Sequence, residues 1–213
     1  MKSGIEMELR EIFRKIRIIP VSVFENTESA LKTAELLAKH RVDVIEVTLR
    51  TGSSFDCIEA IKKEFPSITP GAGSVLSRDD LRRASDSGAV FAVAPCLDED
   101  VAAYAAGLKI PFIPGVSTPG ELNRALKYSG IIKLFPAHAL GGTDYLNSIT
   151  APFRMMEFDL IPTGGIDDKN YMEYLECEKV LACGLTYPVA EKLLKKKDYA
   201  SIEKRIIELY GEI

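Results

Sequence analysis

The sequence predicts an α/β fold: a (β/α)8 TIM barrel forming a single compact domain with an extra N-terminal helix. Short β-branched runs alternate with longer amphipathic stretches along the whole chain, the pattern of repeated strand–helix units and a parallel sheet. Roughly eight such units are present, the number at which a parallel sheet closes on itself. The 213 residues contain no linker, low-complexity tract or composition break, and a hydrophobic fraction of 46% is enough for one core. A typical barrel takes about 250 residues, so only one with short loops fits this length. An open doubly wound sheet is the competing architecture, because strand–helix alternation alone does not separate the two.

Residues 1–16 are amphipathic and charged and predict a helix placed to plug the bottom of the barrel. The barrel is assigned to residues 17–196. Its strands are expected at 17–23, 42–50, 68–75, 89–94, 110–115, 130–135, 158–163 and 179–184. Helices are expected between them at 27–40, 55–65, 78–87, 98–106 and 119–128. The closing segment, 197–213, carries a helix over 199–210, where apolar positions recur at helical spacing.

Composition narrows the function classes. The formal net charge is −4, with Lys and Arg scattered among Asp and Glu, so no basic face for nucleic acid is visible. The start of the chain lacks the apolar run and small-residue site of a signal peptide. No later stretch is long and apolar enough to span a bilayer, and a cytoplasmic protein without membrane or nucleic-acid partners is expected. Cys57, Cys96, Cys177 and Cys183 lie far apart, with only His40 and His138 to join them. That spacing is neither a zinc pattern nor a disulfide framework, so no metal is assigned and reduced thiols are expected.

Chemistry enters through the strands. In VDVIEVTLR, side chains alternate, so Glu46, Thr48 and Arg50 share one face and Ile45, Val47 and Leu49 the other. The outer face of a barrel strand meets helices and must be apolar, which turns the polar set inward, toward the end where such folds build their sites. A helix with an exposed Glu46–Arg50 pair is the competing reading, opposed by the β-branched content. In GIIKLFPAH, Ile131, Lys133 and Phe135 share a face, setting a lone lysine among apolar neighbours. Desolvation disfavours an ammonium in such a place and frees an amine to attack a ketone. A structural ion pair with Glu46 is the alternative.

Late loops add binding capacity. PTGGI, with Thr163, Gly164 and Gly165, and the end of CGLTY, with Thr186, lie where barrels often cradle phosphate on backbone N–H groups. A plain strand-to-helix turn uses the same glycines. GAGSV offers the Ser74 hydroxyl, with an ordinary strand-ending turn as its alternative. Pro95 and Cys96 are expected to form a wall at the mouth, and His138 is expected to be a solvated loop residue.

The strings EVTLR, GAGSV, PGVSTPGE, KLFPA and PTGGI, in this order and spacing, resemble the KDPG/KHG aldolases, which act on 2-keto-3-deoxy-6-phosphogluconate and 4-hydroxy-2-oxoglutarate. The resemblance covers nearly the whole chain. It implies a homotrimeric class I aldolase on a (β/α)8 barrel, working on a 2-oxo acid without cofactor or metal. Carried over by position, it implies that Lys133 forms the Schiff base and that Glu46 is the general acid/base. It further implies that Arg50 and Ser74 bind the substrate carboxylate, that Phe135 lines the pocket, and that Thr163, Gly164 and Gly165 face the distal, phosphate-bearing end, with Thr186 preserving a hydroxyl where many members have serine. The chain departs from the pattern at the end of its last strand, where many members have Gly-Gly-Ser or Val-Gly-Ser and this chain has Gly184, Leu185 and Thr186; Leu185 is expected to stop the backbone from approaching a phosphate. It departs again at His138, which replaces a common glutamate, and at Ala94, which replaces a serine.

Overall fold

The computed structural model describes residues 4–211. Helix α1 (Gly4–Ile16) precedes strand β1 (Ile18–Ser22), followed by α2 (Thr27–Lys39), β2 (Val44–Thr48), α3 (Ser54–Glu64), β3 (Thr69–Gly73), α4 (Arg78–Asp86), β4 (Phe91–Val93) and α5 (Glu99–Leu108). The second half continues with β5 (Phe112–Ile113), β6 (Gly115–Val116), α6 (Pro119–Ala125), β7 (Ile131–Leu134), α7 (Gly142–Thr150), β8 (Asp159–Pro162), α8 (Tyr171–Leu175), β9 (Cys183–Leu185), α9 (Glu191–Lys195) and α10 (Tyr199–Tyr210). Asn26, Ser77, Asp98, Thr118 and Asp198 each accept a hydrogen bond from the backbone N–H three residues on, which fixes where α2, α4, α5, α6 and α10 begin.

Every ladder is parallel, in a curled sheet of order β5-β4-β3-β2-β1-β9 and a second of order β6-β7-β8. Sequential strands are neighbours from β1 to β5, without the reversal of order that defines a doubly wound sheet. The fifth expected strand is a correction: it is split into β5 and β6 at Pro114, a residue with no N–H to give a ladder. The strands are also shorter than expected, because β2 ends at Thr48 and leaves Leu49 and Arg50 in the loop. Helix α8 falls where a helical pattern is expected after Asp167, while α7 and α9 have no counterpart among the sequence-assigned helices; α9 is only five residues long, too short for a 3.6-residue period to stand out.

The N-terminal helix lies where a plug is needed. Leu9, Phe13 and Ile16 are buried, and the Phe13 ring packs edge-on against Phe91 of β4 with centroids 5.3 Å apart. Gly71 on β3 makes room for the Phe91 ring, since a Cβ there would lie 2.2 Å from it. Arg10 of the same helix is buried and forms an ion pair with Asp159 at the start of β8. Residues 1–3 of the expected helix and residues 212–213 of the closing segment lie outside the described residues; Tyr199–Tyr210 matches its expected span. Among the described residues, no helix is long and apolar enough to cross a membrane.

Phe13 is fully buried against β4, so Phe13→Ala should cost about 3–5 kcal/mol, as large aromatic deletions do. Equilibrium urea denaturation measures it, and a loss below about 1 kcal/mol would show that the plug carries no packing.

Candidate active site

Parallel pairing puts in-register residues on the same side of a sheet. Glu46 on β2 is in register with Gly71 on β3, and Lys133 on β7 with Gly115 on β6 and Ile161 on β8. Both charged side chains point to the concave side and are buried, with 4% of Glu46 and 8% of Lys133 exposed. Lys133 Nζ lies 3.5 Å from Glu46 Oε1, and that oxygen is buried without any hydrogen-bond partner. The Phe135 ring sits beside the amine, 5.5 Å from Nζ to its centroid.

Glycines create the space around this pair. A Cβ on Gly73 would lie 2.2 Å from Glu46 Oε1, and one on Gly184 would lie 2.4 Å from Thr163 Oγ1. A Cβ on Gly115 would strike the Pro95 backbone at 2.4 Å. Three glycines on three strands thus leave room that ordinary side chains would fill. The sequence reading did not single out Gly73, Gly115 or Gly184, although Gly71 and Gly73 alternate on one face of their strand and that spacing is a legible signal.

Arg50 follows the end of β2 and is exposed; its Nε donates to Ser74 Oγ at 3.2 Å. Ser74 adopts φ 59°, so the residue makes a left-handed turn, and its hydroxyl faces the arginine. Leu49 N–H donates to Gly73 O at 2.8 Å, tying the two loops together. Pro95 is half-buried just after β4, and Cys96 beside it is exposed.

Thr163 is buried and bridges to Gly184, while Gly164 and Gly165 take φ 95° and 73°, a conformation that glycine adopts without strain. Their carbonyl side is already used: Ala137 N–H donates to Thr163 O at 2.8 Å and His138 N–H to Gly164 O at 3.0 Å. A Cβ on Gly164 would meet the Phe135 ring at 3.1 Å, so this turn lies against the lysine loop. His138 is exposed, with its Cβ 2.7 Å from where a Gly165 side chain would begin. Thr186 is exposed beyond β9. Leu185 requires a correction. It is fully buried within the apolar cluster that includes Ile18, Tyr171 and Leu209, so its side chain packs under helices instead of obstructing the mouth.

The structure therefore brings Lys133, Glu46 and Phe135 together, Arg50 and Ser74 together, and Thr163, Gly164 and Gly165 against Phe135. Among the described residues there is no cluster of three or more His, Cys, Asp or Glu able to hold a metal. Cys57 and Cys183 are buried, and burial pushes the Cys57 thiol up to about 11 and the Cys183 thiol well above the ordinary range.

A family profile described as KDPG and KHG aldolase matches residues 9–205. The KHG/KDPG aldolase of Escherichia coli K12 is 41% identical over 189 residues, covering 88% of this chain and 87% of that one. The crystal structure of KDPG aldolase from Legionella pneumophila, with pyruvate captured as a covalent carbinolamine, has a TM-score of 0.90 at 32% identity and covers 99% of this chain and 100% of its own. The 2-keto-3-deoxy-6-phosphogluconate aldolase of Zymomonas mobilis ZM4 with 3-phosphoglycerate has a TM-score of 0.88 at 31% identity, covering 99% and 96%.

Two predictions follow from burial. Lys133→Met leaves a buried carboxylate unpaired and should cost about 3–5 kcal/mol near neutral pH, while adding Glu46→Leu should recover most of it; denaturation of the two single variants and the double variant gives the coupling, and simple additivity would sink the pairing. In thiol titration of the native protein, Cys96 should react first and Cys57 and Cys183 only after denaturant is added.

Proposed function

The chain belongs to the KDPG and KHG aldolase family, and from that premise we propose that Lys133 is its Schiff-base lysine and Glu46 the acid/base that serves it. The enzyme is a carbon–carbon lyase, a class I aldolase acting on 2-oxo acids. The observation that carries the assignment is the buried amine 3.5 Å from a carboxylate oxygen that nothing else satisfies. A structural ion pair rarely leaves its acceptor otherwise unbonded, because an unsatisfied buried polar atom is costly.

In this reading the Lys133 amine attacks the C2 ketone of the substrate to give a carbinolamine. Loss of water then gives a protonated imine. Glu46 removes the proton from the C4 hydroxyl as the C3–C4 bond breaks, sending the bonding electrons into the imine and releasing an aldehyde. Protonation of the resulting enamine at C3 and hydrolysis of the imine release pyruvate and restore the free amine. Arg50, with Ser74, holds the C1 carboxylate, since a guanidinium makes two parallel charge-assisted bonds to such a group. Phe135 and Pro95 line the pocket.

For the aldehyde half, the turn at Thr163, Gly164 and Gly165, with Thr186 at the end of the neighbouring strand, is assigned to the distal end of the substrate. We propose 2-keto-3-deoxy-6-phosphogluconate, giving pyruvate and glyceraldehyde 3-phosphate, and/or 4-hydroxy-2-oxoglutarate, giving pyruvate and glyoxylate. The Escherichia coli relative named for both substrates and the phosphorylated ligand in the Zymomonas mobilis neighbour support that pair. We also propose that the sheets close into a (β/α)8 barrel within one domain. Bridges between Leu160 and Val180 and between Thr163 and Gly184 link β8 to β9. Across Pro114, Ile113 O receives the Ala94 N–H and Pro114 O the Lys133 N–H, so β5 and β6 act as one strand. The family resemblance supports a cytoplasmic homotrimer, which light scattering tests against the mass of one chain.

Incubation with pyruvate and sodium borohydride should add the mass of one reduced pyruvyl group to the native chain and none to Lys133→Ala. An unmodified native chain would overturn the imine assignment.

A further inference from the structure

Arg50 stands on a loop, and its aim depends on whatever fixes that loop. The guanidinium is exposed and Ser74 is its side-chain partner, so the side chain does not lock its own backbone. Immediately after it, a group of hydroxyls does. Thr51 Oγ1 donates to Phe24 O at 2.6 Å, and Ser53 Oγ reaches the same carbonyl at 3.2 Å. Ser54 Oγ, fully buried, donates to Thr48 O at 2.8 Å, accepts from Thr51 N–H at 3.3 Å, and lies 2.9 Å from Thr51 Oγ1. A hydroxyl has one proton to give. The short Thr51 bond takes that residue's proton to Phe24, which leaves Ser54 as the donor at the Thr51–Ser54 contact, its one proton shared between Thr48 O and Thr51 Oγ1. Residues 48 to 54 are thereby closed into a loop whose two ends share Ser54 and whose middle is pinned to the chain leaving β1.

We propose that Thr51 and Ser54 are positioning residues: they hold the backbone on either side of Arg50 so that its guanidinium meets the substrate carboxylate already oriented. The proposal rests on the reading of Arg50 as the carboxylate-binding arginine. Both hydroxyl protons are given to protein oxygens in this arrangement, and Ser54 is closed to solvent. Their effect is therefore on how readily the 2-oxo acid binds, with the imine chemistry at Lys133 unaffected once it is bound.

The test is the rate of borohydride trapping at varied pyruvate concentration, for the native enzyme, Thr51→Val, Thr51→Ser, Ser54→Ala and Arg50→Ala, with denaturant stability measured in parallel. Thr51→Val keeps the shape and removes the hydrogen bond. It should raise the half-saturating pyruvate about tenfold or more, as small misplacements of binding groups do, and leave the maximal trapping rate within about twofold. Ser54→Ala should move in the same direction, Thr51→Ser should restore native behaviour, and Thr51→Val should add nothing in an Arg50→Ala background. If Arg50→Ala raises half-saturation and Thr51→Val lowers stability alone, the positioning role is wrong and the Arg50 reading stands. If Arg50→Ala leaves half-saturation unchanged, the Arg50 reading itself fails and takes this proposal with it.

Discussion

The architecture depends on one costly arrangement, a lysine and a glutamate facing each other at 3.5 Å inside a parallel sheet. Desolvating two charges costs more than their attraction returns unless the remaining lone pairs and protons are also satisfied, and here Glu46 Oε1 is not. A sheet interior filled with Val, Ile and Leu in interlocking layers would be more stable. Instead the strands around the pair carry Gly73, Gly115 and Gly184, where a Cβ would strike Glu46, the Pro95 backbone and Thr163. At the opposite end α1 seats Phe13 on Phe91 and ties Arg10 to Asp159.

That division explains what the sequence disclosed. The alternation of VDVIEVTLR and GIIKLFPAH set Glu46 and Lys133 on inward faces, because a period of two is a local property that folding does not alter. The helix before the first strand was legible from its apolar stripe, and its plugging role from its place in the order. Boundaries were less legible. Pro114 interrupts a strand of strongly β-forming residues, a consequence of its missing N–H and not of hydrophobic pattern. Leu185 looked obstructive as a letter beside Gly184, but strand alternation turns it into the helix layer, and the same rule that placed Glu46 would have placed it correctly.

Distances between strands far apart in the chain lie beyond sequence patterning. Gly73 is 27 positions from Glu46 in the chain, yet its missing side chain is what accommodates that carboxylate. The contact between Arg50 and Ser74 is similar in kind. The resemblance assigned both to one carboxylate, and the left-handed turn at Ser74 brings the hydroxyl to the guanidinium.

The two ends of the proposed substrate meet different kinds of protein. The ketone end meets side chains rooted in strands, Lys133 and Glu46, whose positions the ladder fixes. The carboxylate and distal ends meet loops, which are orderly only where something holds them: hydroxyls at 51 to 54 around Arg50, and the N–H groups of Ala137 and His138 on the glycine turn. Changes in those loops can therefore alter which aldehyde is accepted without disturbing the amine. Of the departures from the family pattern, His138 lies in that loop layer, while Ala94 and Leu185 are buried at strand ends; the Lys133 and Glu46 positions beneath it match the family pattern. A precise reactive centre under adjustable loops is the arrangement expected when one imine chemistry must serve more than one aldehyde.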